Sequence, residues 1–310
     1  MDLALISLEK IVEMFLILVL GVVLYRCGLI TSEMNRGLSN LLLMFVAPFL
    51  VFVSYQMDFT TQLMSGWIQT FLLSVLSFLL TIFMTRFVIR KSGNYDREIE
   101  RICVIYSNCG YIGLPLLNAL FGQQGVFYMT VYMTVFNLFT WTQGVSLVSG
   151  NKNFRQAVRN LFSPMVIGVL LGVICFFGRI HLPDILLNPM RAIGDMNTPL
   201  AMLVAGASLA ETDIKKMLIK VRIYWISFIK LILCPLLFFL AAFWFRFEEL
   251  PLMTVFLGAA CPAGTTGTLF ALRYHRDNVY ATELLAVSTI LSILTIPMMI
   301  LVKNFLQGFL

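Results

Sequence analysis

The sequence predicts an all-α integral membrane protein of about ten transmembrane helices, arranged as two inverted five-helix repeats with crossed, broken helices 4 and 9. Three observations carry this reading: the composition, the spacing of apolar runs, and a pair of helix interruptions half a chain apart. Apolar residues make up 59% of the chain and charged ones 12%, against roughly 45–50% and 25% in soluble domains. A soluble fold of 310 residues would have to expose much of that hydrocarbon. Lipid is the solvent that removes the difficulty.

A spanning helix needs about 20 largely apolar residues. Such stretches centre near residues 17, 45, 75, 110, 135, 170, 200, 232, 260 and 292. The connections are short, so a single membrane domain over 1–310 is expected, with repeat one about 1–150 and repeat two about 160–310. The first stretch has no clear small-x-small cleavage site and reads as an uncleaved helix.

Lysine and arginine placement sets the orientation. With the N-terminus outside, the inward loops hold Arg26 and Arg36, then Arg86, Arg90, Lys91, Arg97 and Arg101. They go on to hold Lys152, Arg155 and Arg159, then Lys215, Lys216, Lys220 and Arg222, then Arg273 and Arg276, sixteen in all. The outward segments hold five: Lys10, Arg179, Arg191, Arg246 and Lys303. Both termini are therefore expected outside the cell membrane. The net charge of +6 does not point to nucleic acid, because the cations are scattered between apolar runs rather than clustered. The six cysteines form no CxxC pair and mostly fall within apolar segments, so neither disulfides nor a metal site is expected.

Five helices per half is an odd number, so a duplicated half enters the membrane inverted. At an offset of 152 residues, Pro115-Leu-Leu117-Asn-Ala119-Leu120 matches Gly267-Thr-Leu269-Phe-Ala271-Leu272, and Tyr128 and Thr130 fall on Tyr280 and Thr282. Both segments interrupt an apolar span at its middle. The fourth span reads Ser107-Asn-Cys-Gly110-Tyr-Ile-Gly113-Leu-Pro115, and the ninth reads Cys261-Pro262-Ala-Gly264-Thr-Thr-Gly267-Thr268. Glycine and proline weaken a helix interior, and freed backbone groups at membrane depth must be buried in protein or face a wet cavity. Paired interruptions in two halves point to the binding site of a secondary transporter. Half-helices starting near Pro115 and Gly267 would aim two positive ends at one spot. Such a spot takes an anion with no cationic side chain strictly required.

At these residues the chain resembles the auxin efflux carrier family, whose superfamily also holds sodium-coupled carriers of the bile-acid type. The segment Asn108-x-x-x-x-Gly113-x-Pro115-Leu116-x-x-Ala119-x-Phe121-Gly122 resembles the family's fourth helix. Pro262-x-Gly264 with Phe270-Ala271-x-x-Tyr274 resembles its ninth, Ser292-x-x-x-x-Pro297 its tenth, and Gly206-x-Ser208-Leu209 the end of its seventh. Two departures from the plant members stand out: Gly267 replaces a second proline of the ninth helix, and the long central cytoplasmic loop is absent. They count against auxin itself as the substrate. The resemblance implies a scaffold (helices 1, 2, 6 and 7), a transport part (helices 3–5 and 8–10), elevator-type alternating access and a homodimer. Gly168-x-x-x-Gly172 would serve close helix packing.

The candidate substrate-binding residues are Asn108, Gly113, Pro115, Asn137, Gly264, Thr265, Thr266, Gly267, Thr268 and Lys230. Asn108 is placed at the end of the first half of helix 4. Its amide both donates and accepts without burying a charge, which suits a carboxylate, and the resemblance puts an asparagine with that role there; capping of the broken helix is the alternative. The threonines offer hydroxyls that either meet substrate or satisfy freed carbonyls, and Asn137 either lines the site or makes an interhelical hydrogen bond. Lys230, deep in a span, costs about 2.5–3.5 kcal/mol there unless it faces the bundle interior or water. It either balances substrate charge, controls a moving interface, or belongs to a structural ion pair. Glu283, and more weakly Asp195, are candidates for a coupling proton or ion; a solvated helix-end carboxylate is the other reading of Glu283. An enzyme is not expected, since the chain has no HExxH, no GxSxG and no histidine deep in a span. The expected function is a secondary carrier of a small organic anion, without cofactor, with a sodium-coupled symporter of the bile-acid type as the rival.

Overall fold

The computed structural model describes residues 2–93, 95–149, 164–211, 220–245 and 247–309. Lys152, Arg155, Arg159, Lys215, Lys216 and Arg246, used above for orientation, lie outside them. The described residues are helical throughout except for connections and one isolated β-bridge. In chain order the helices are α1 (Asp2–Arg26), α2 (Ser32–Ser54), α3 (Thr61–Val88), α4 (Arg97–Ile105), α5 (Leu114–Phe139) and α6 (Val145–Ser149). There follow α7 (Pro164–Gly178), α8 (Asp184–Asp195), α9 (Asn197–Ala210), α10 (Val221–Phe243), α11 (Glu249–Ala260), α12 (Thr265–Arg273) and α13 (Asn278–Phe309). Four are long and apolar enough to cross a membrane: α2, α3, α10 and, over Asn278–Leu306, α13. α7 and α11 are shorter apolar helices.

Several expected spans are divided. α4 and α5 are separated at 106–108, α11 and α12 at 261–264, and α8 and α9 by a turn at Met196. Within α5, Gly122 adopts φ 56° and ψ −143°, so the helix is broken by a kink there between arms 114–121 and 123–139. A positive φ of this kind is open to glycine at little steric expense.

Prolines within helices do not end them. Pro48, Pro115 and Pro235 each stand two residues beyond a π turn, at Leu42–Val46, Cys109–Gly113 and Ile229–Leu233. Proline supplies no N–H, and its ring presses on the carbonyl four residues back. A turn widened to i→i+5 bonding takes up the mismatch and lets the helix continue. The α-helical part of this half-helix starts at Leu114, beside Pro115 as expected, and the π turn at Cys109–Gly113 extends it back to Asn108.

Glycines set the closest approaches. A methyl group on Gly206 of α9 would lie 2.0 Å from the Leu18 carbonyl oxygen of α1, and one on Gly21 would lie 2.4 Å from that of Leu203. The two backbones therefore touch. Gly168 of α7 meets the Pro48 carbonyl of α2, and Gly172 meets the ring of Tyr55 just past the end of α2, so their small-residue face is taken up within the chain. Crowding of this kind costs about 1–3 kcal/mol. Gly206→Ala is expected to lower the thermal midpoint measurably, whereas Gly37→Ala, whose methyl group would meet nothing within 4 Å, leaves it in place.

Charged side chains gather at one end of the bundle. Arg222 of α10 donates from Nε and Nη2 to the Glu100 carboxylate of α4, 2.8 Å each, and from Nη2 to the Arg90 carbonyl. The Tyr280 hydroxyl donates to the same carboxylate at 2.9 Å. Arg276 reaches Asp96 and the Val148 carbonyl, and Lys220 pairs with Glu283. Glu100 is 1% exposed, so this network ties α4, α10 and α13 into one body.

Candidate functional site

The two interruptions lie against each other. Ser107 and Ala263 form an antiparallel bridge. The Asn108 N–H donates to the Pro262 carbonyl at 2.8 Å, and the Gly264 N–H donates to the Tyr106 carbonyl at 2.9 Å. Side chains hold the crossing from outside: Ser288 Oγ accepts from the Ala263 N–H, and Ser107 Oγ lies 3.2 Å from the Tyr132 hydroxyl. The Tyr106 hydroxyl donates to the Phe139 carbonyl and to Gln143. Breaks that would expose backbone at depth instead satisfy each other.

Two helix N-termini leave this crossing. The first turn after Asn108 is bonded only from Ile112 and Gly113, whose N–H groups share the Asn108 carbonyl. The N–H groups of Cys109, Gly110 and Tyr111 therefore have no helical acceptor. In α12 the first such bond is from Gly267 to the Gly264 carbonyl, which leaves Thr265 and Thr266 in the same condition. All five residues, with Asn108 and Gly264, line one cavity of about 350 Å³. Its remaining wall is largely apolar, with Leu43, Met44, Met133, Phe136, Trp141, Met165 and Leu269, and its described lining carries no charged side chain. Its positive character comes from the helix ends alone.

Asn108 is 6% exposed and stands at the N-cap of the second half-helix, not at the end of the first as the sequence suggested. Its side chain makes no capping hydrogen bond, which removes the alternative of a purely capping role. The amide is shared with a second cavity of about 60 Å³, whose other side is formed by Ser39, Val204, Ala205 and Ser208. Thr265 also lines both. Asn137 lines the larger cavity while donating within its own helix to the Met133 carbonyl, not to another helix.

The other candidates do not line it. Gly113 is buried under Met129 and Cys261, and Pro115 is buried in the first turns of α5. Gly267 packs on the Cys103 thiol inside the first turn of α12, and the second half-helix starts at Thr265, two residues before it. Thr268, half-buried, follows in the same helix. Lys230 lies behind the crossing and donates to the Ala259 carbonyl. Glu283 is engaged by Lys220 at the charged end, and Asp195 is exposed at the end of α8. Tyr111, Phe136 and Trp141 escaped the sequence reading because aromatic residues in an apolar span carry no mark separating a cavity wall from core or lipid contact.

Residues 6–300 match the family described as membrane transport protein. An uncharacterized transporter of Methanothermobacter thermautotrophicus is 23% identical over 301 residues, covering 94% of this chain and 97% of the relative. The uncharacterized transporter YfdV of Escherichia coli is 22% identical over 308 residues, covering 95% and 96%. An uncharacterized transporter of Methanocaldococcus jannaschii is 18% identical over 309 residues, covering 94% and 97%. With its long apolar helices, this chain is a membrane-embedded protein, and it belongs to the auxin efflux carrier family of membrane transport proteins.

Proposed function

We propose that the chain is a secondary carrier of a small organic anion, a carboxylate, bound where the two broken helices cross. The observation that carries this is the buried, uncapping amide of Asn108 beside two helix N-termini whose first N–H groups have no helical acceptor, in a cavity of about 350 Å³. Ligand clefts commonly measure about 300–1,000 Å³ and combine apolar walls with a few placed polar groups. A carboxylate head would accept from N–H groups at Cys109–Tyr111 and Thr265–Thr266 and from the Asn108 amide. Its carbon body would rest on Met133, Phe136 and Trp141.

Alternating access of the elevator type supplies the transport step. α1, α2 and α7–α9 would form the fixed scaffold, and α3–α6 with α10–α13 the moving part. Support comes from the seam between them, which holds the cavity of about 60 Å³ and a further apolar one of about 40 Å³ between Met14, Leu18 and Met202 on one side and Ile112, Leu116 and Ile296 on the other. Interfaces meant to slide are expected to be loosely filled, since close-packed ones resist displacement. In this reading ten spans form two inverted repeats, and the charged end of the bundle faces the cytoplasm. Trp141 and Pro164 then place the main cavity on the inward side.

The test is a thermal-shift screen of the purified full chain against mono- and dicarboxylates. A ligand bound by the folded state alone at 100 times its Kd stabilises it by about 2.7 kcal/mol. A saturable upward shift by a carboxylate, with no shift by the matching amide or amine, is the expected result. Equal response to amines, or none to any carboxylate, removes the anion assignment.

A further inference from the structure

Lys230 of α10 is 3% exposed and sits in the π turn Ile229–Leu233. Its ammonium donates to the Ala259 carbonyl at 3.2 Å. Carboxylates of the helices around the crossing have other partners: Glu100 has Arg222 and Tyr280, Glu283 has Lys220, and Glu249 has Lys303. Around it lie the thiols of Cys103, Cys109, Cys234 and Cys261, near enough to interact electrostatically. Its counter-charge is therefore sought in the backbone.

Ala259 belongs to the last turn of α11, which ends at the crossing. Had the helix continued, the carbonyls of Gly258, Ala259 and Ala260 would accept from residues 262, 263 and 264. Residue 262 is proline and has no N–H. The Ala263 N–H is diverted to Ser288, and the Gly264 N–H to Tyr106. Three adjacent carbonyls thus lose their helical donors at the negative pole of a buried half-helix. The Lys230 ammonium rests on the middle one. In carriers with broken helices, such carbonyl ends are where a coupling sodium ion is commonly coordinated.

We propose that Lys230 is a tethered cation that occupies this carbonyl end in place of a sodium ion, and that its removal opens a monovalent-cation site there. The consequence, transport without a sodium requirement, rests on the carrier reading; the binding claim itself rests on geometry alone. Its role is positioning: it holds the C-terminal end of α11 so that Cys261 and Pro262 can meet Ser107 and Asn108.

The test uses the full chain purified in detergent without substrate, so its failure and that of the anion reading are separable. Wild type is expected to melt at the same midpoint in sodium chloride and in choline chloride. Lys230→Ala is expected to melt lower in choline and to recover by at least about 4 °C, saturably, with sodium or ethylammonium. Lys230→Met, which refills the space without charge, is expected to melt low and to recover with neither cation. Lys230→Arg is expected to stay indifferent to sodium. A saturable sodium shift in wild type overturns the proposal. So does an alanine variant as stable as wild type, one rescued by no cation, or one that fails to fold in all these buffers.

Discussion

Asn108→Ala is expected to weaken carboxylate binding roughly 10- to 100-fold while leaving the empty protein about as stable as wild type. A hydrogen bond to a charged group contributes about 1.5–3 kcal/mol, so losing the amide weakens affinity by roughly 10- to 100-fold. The backbone N–H of Asn108, which donates to Pro262, is untouched by the substitution. The side chain caps nothing in the structure, so no helix end loses a partner. Weakened binding with an unchanged midpoint is the signature of a residue kept for its ligand. Asn108→Asp should lose more, since a carboxylate there repels the anion. Uptake into proteoliposomes and the carboxylate thermal shift measure the two halves of this expectation. An alanine variant that binds as tightly as wild type would remove Asn108 from the site.

The sequence reading located the crossing to within a few residues, and the shortfall has a physical cause. Pro115 and Gly267 are the strongest local breakers in their spans, but the structure keeps both inside helices. The π turn at Cys109–Gly113 absorbs the proline, and the Cys103 thiol fills the space beside Gly267. What fixes the breaks at 106–108 and 261–264 is the pairing of one with the other, across more than 150 residues of chain. No local propensity encodes that partner.

Lys230 shows the same division. Its position in a span was plain from the sequence, and so was its need for an interior partner. The partner is a main-chain carbonyl, freed because Pro262 and two diverted N–H groups leave it without a donor. A side-chain inventory looks for a carboxylate and finds none suited. Glu283, expected either as a coupling carboxylate or as a solvated helix-end one, is not solvated: it is 8% exposed and pairs with Lys220, a partner no local pattern marked.

Gly264→Val is expected to disrupt the crossing itself and so to cost both stability and transport. Gly264 has φ −85° and ψ 158°, extended backbone open to any residue, so the objection to a side chain is one of space. A methyl group there would lie 2.9 Å from the Ser107 carbonyl oxygen and 3.0 Å from that of Tyr106. These are backbone atoms of the opposing segment and cannot rotate aside. Alanine already forces the two segments apart by a few tenths of an ångström, and valine by more. The bonds at risk are Gly264 N–H to Tyr106 and Asn108 N–H to Pro262, both buried. Leaving a buried group unpaired costs about 1–3 kcal/mol, so loss of both lowers the midpoint by about 10 °C. Gly110 supplies the control, because it lines the same cavity and a methyl group on it would meet only Met133 Cε, at 3.7 Å. If Gly264→Val melted like Gly110→Ala, the close pairing of the two interruptions would not be what holds the site together. If it melts far below, the two N-termini and the Asn108 amide depend on that pairing for their common aim.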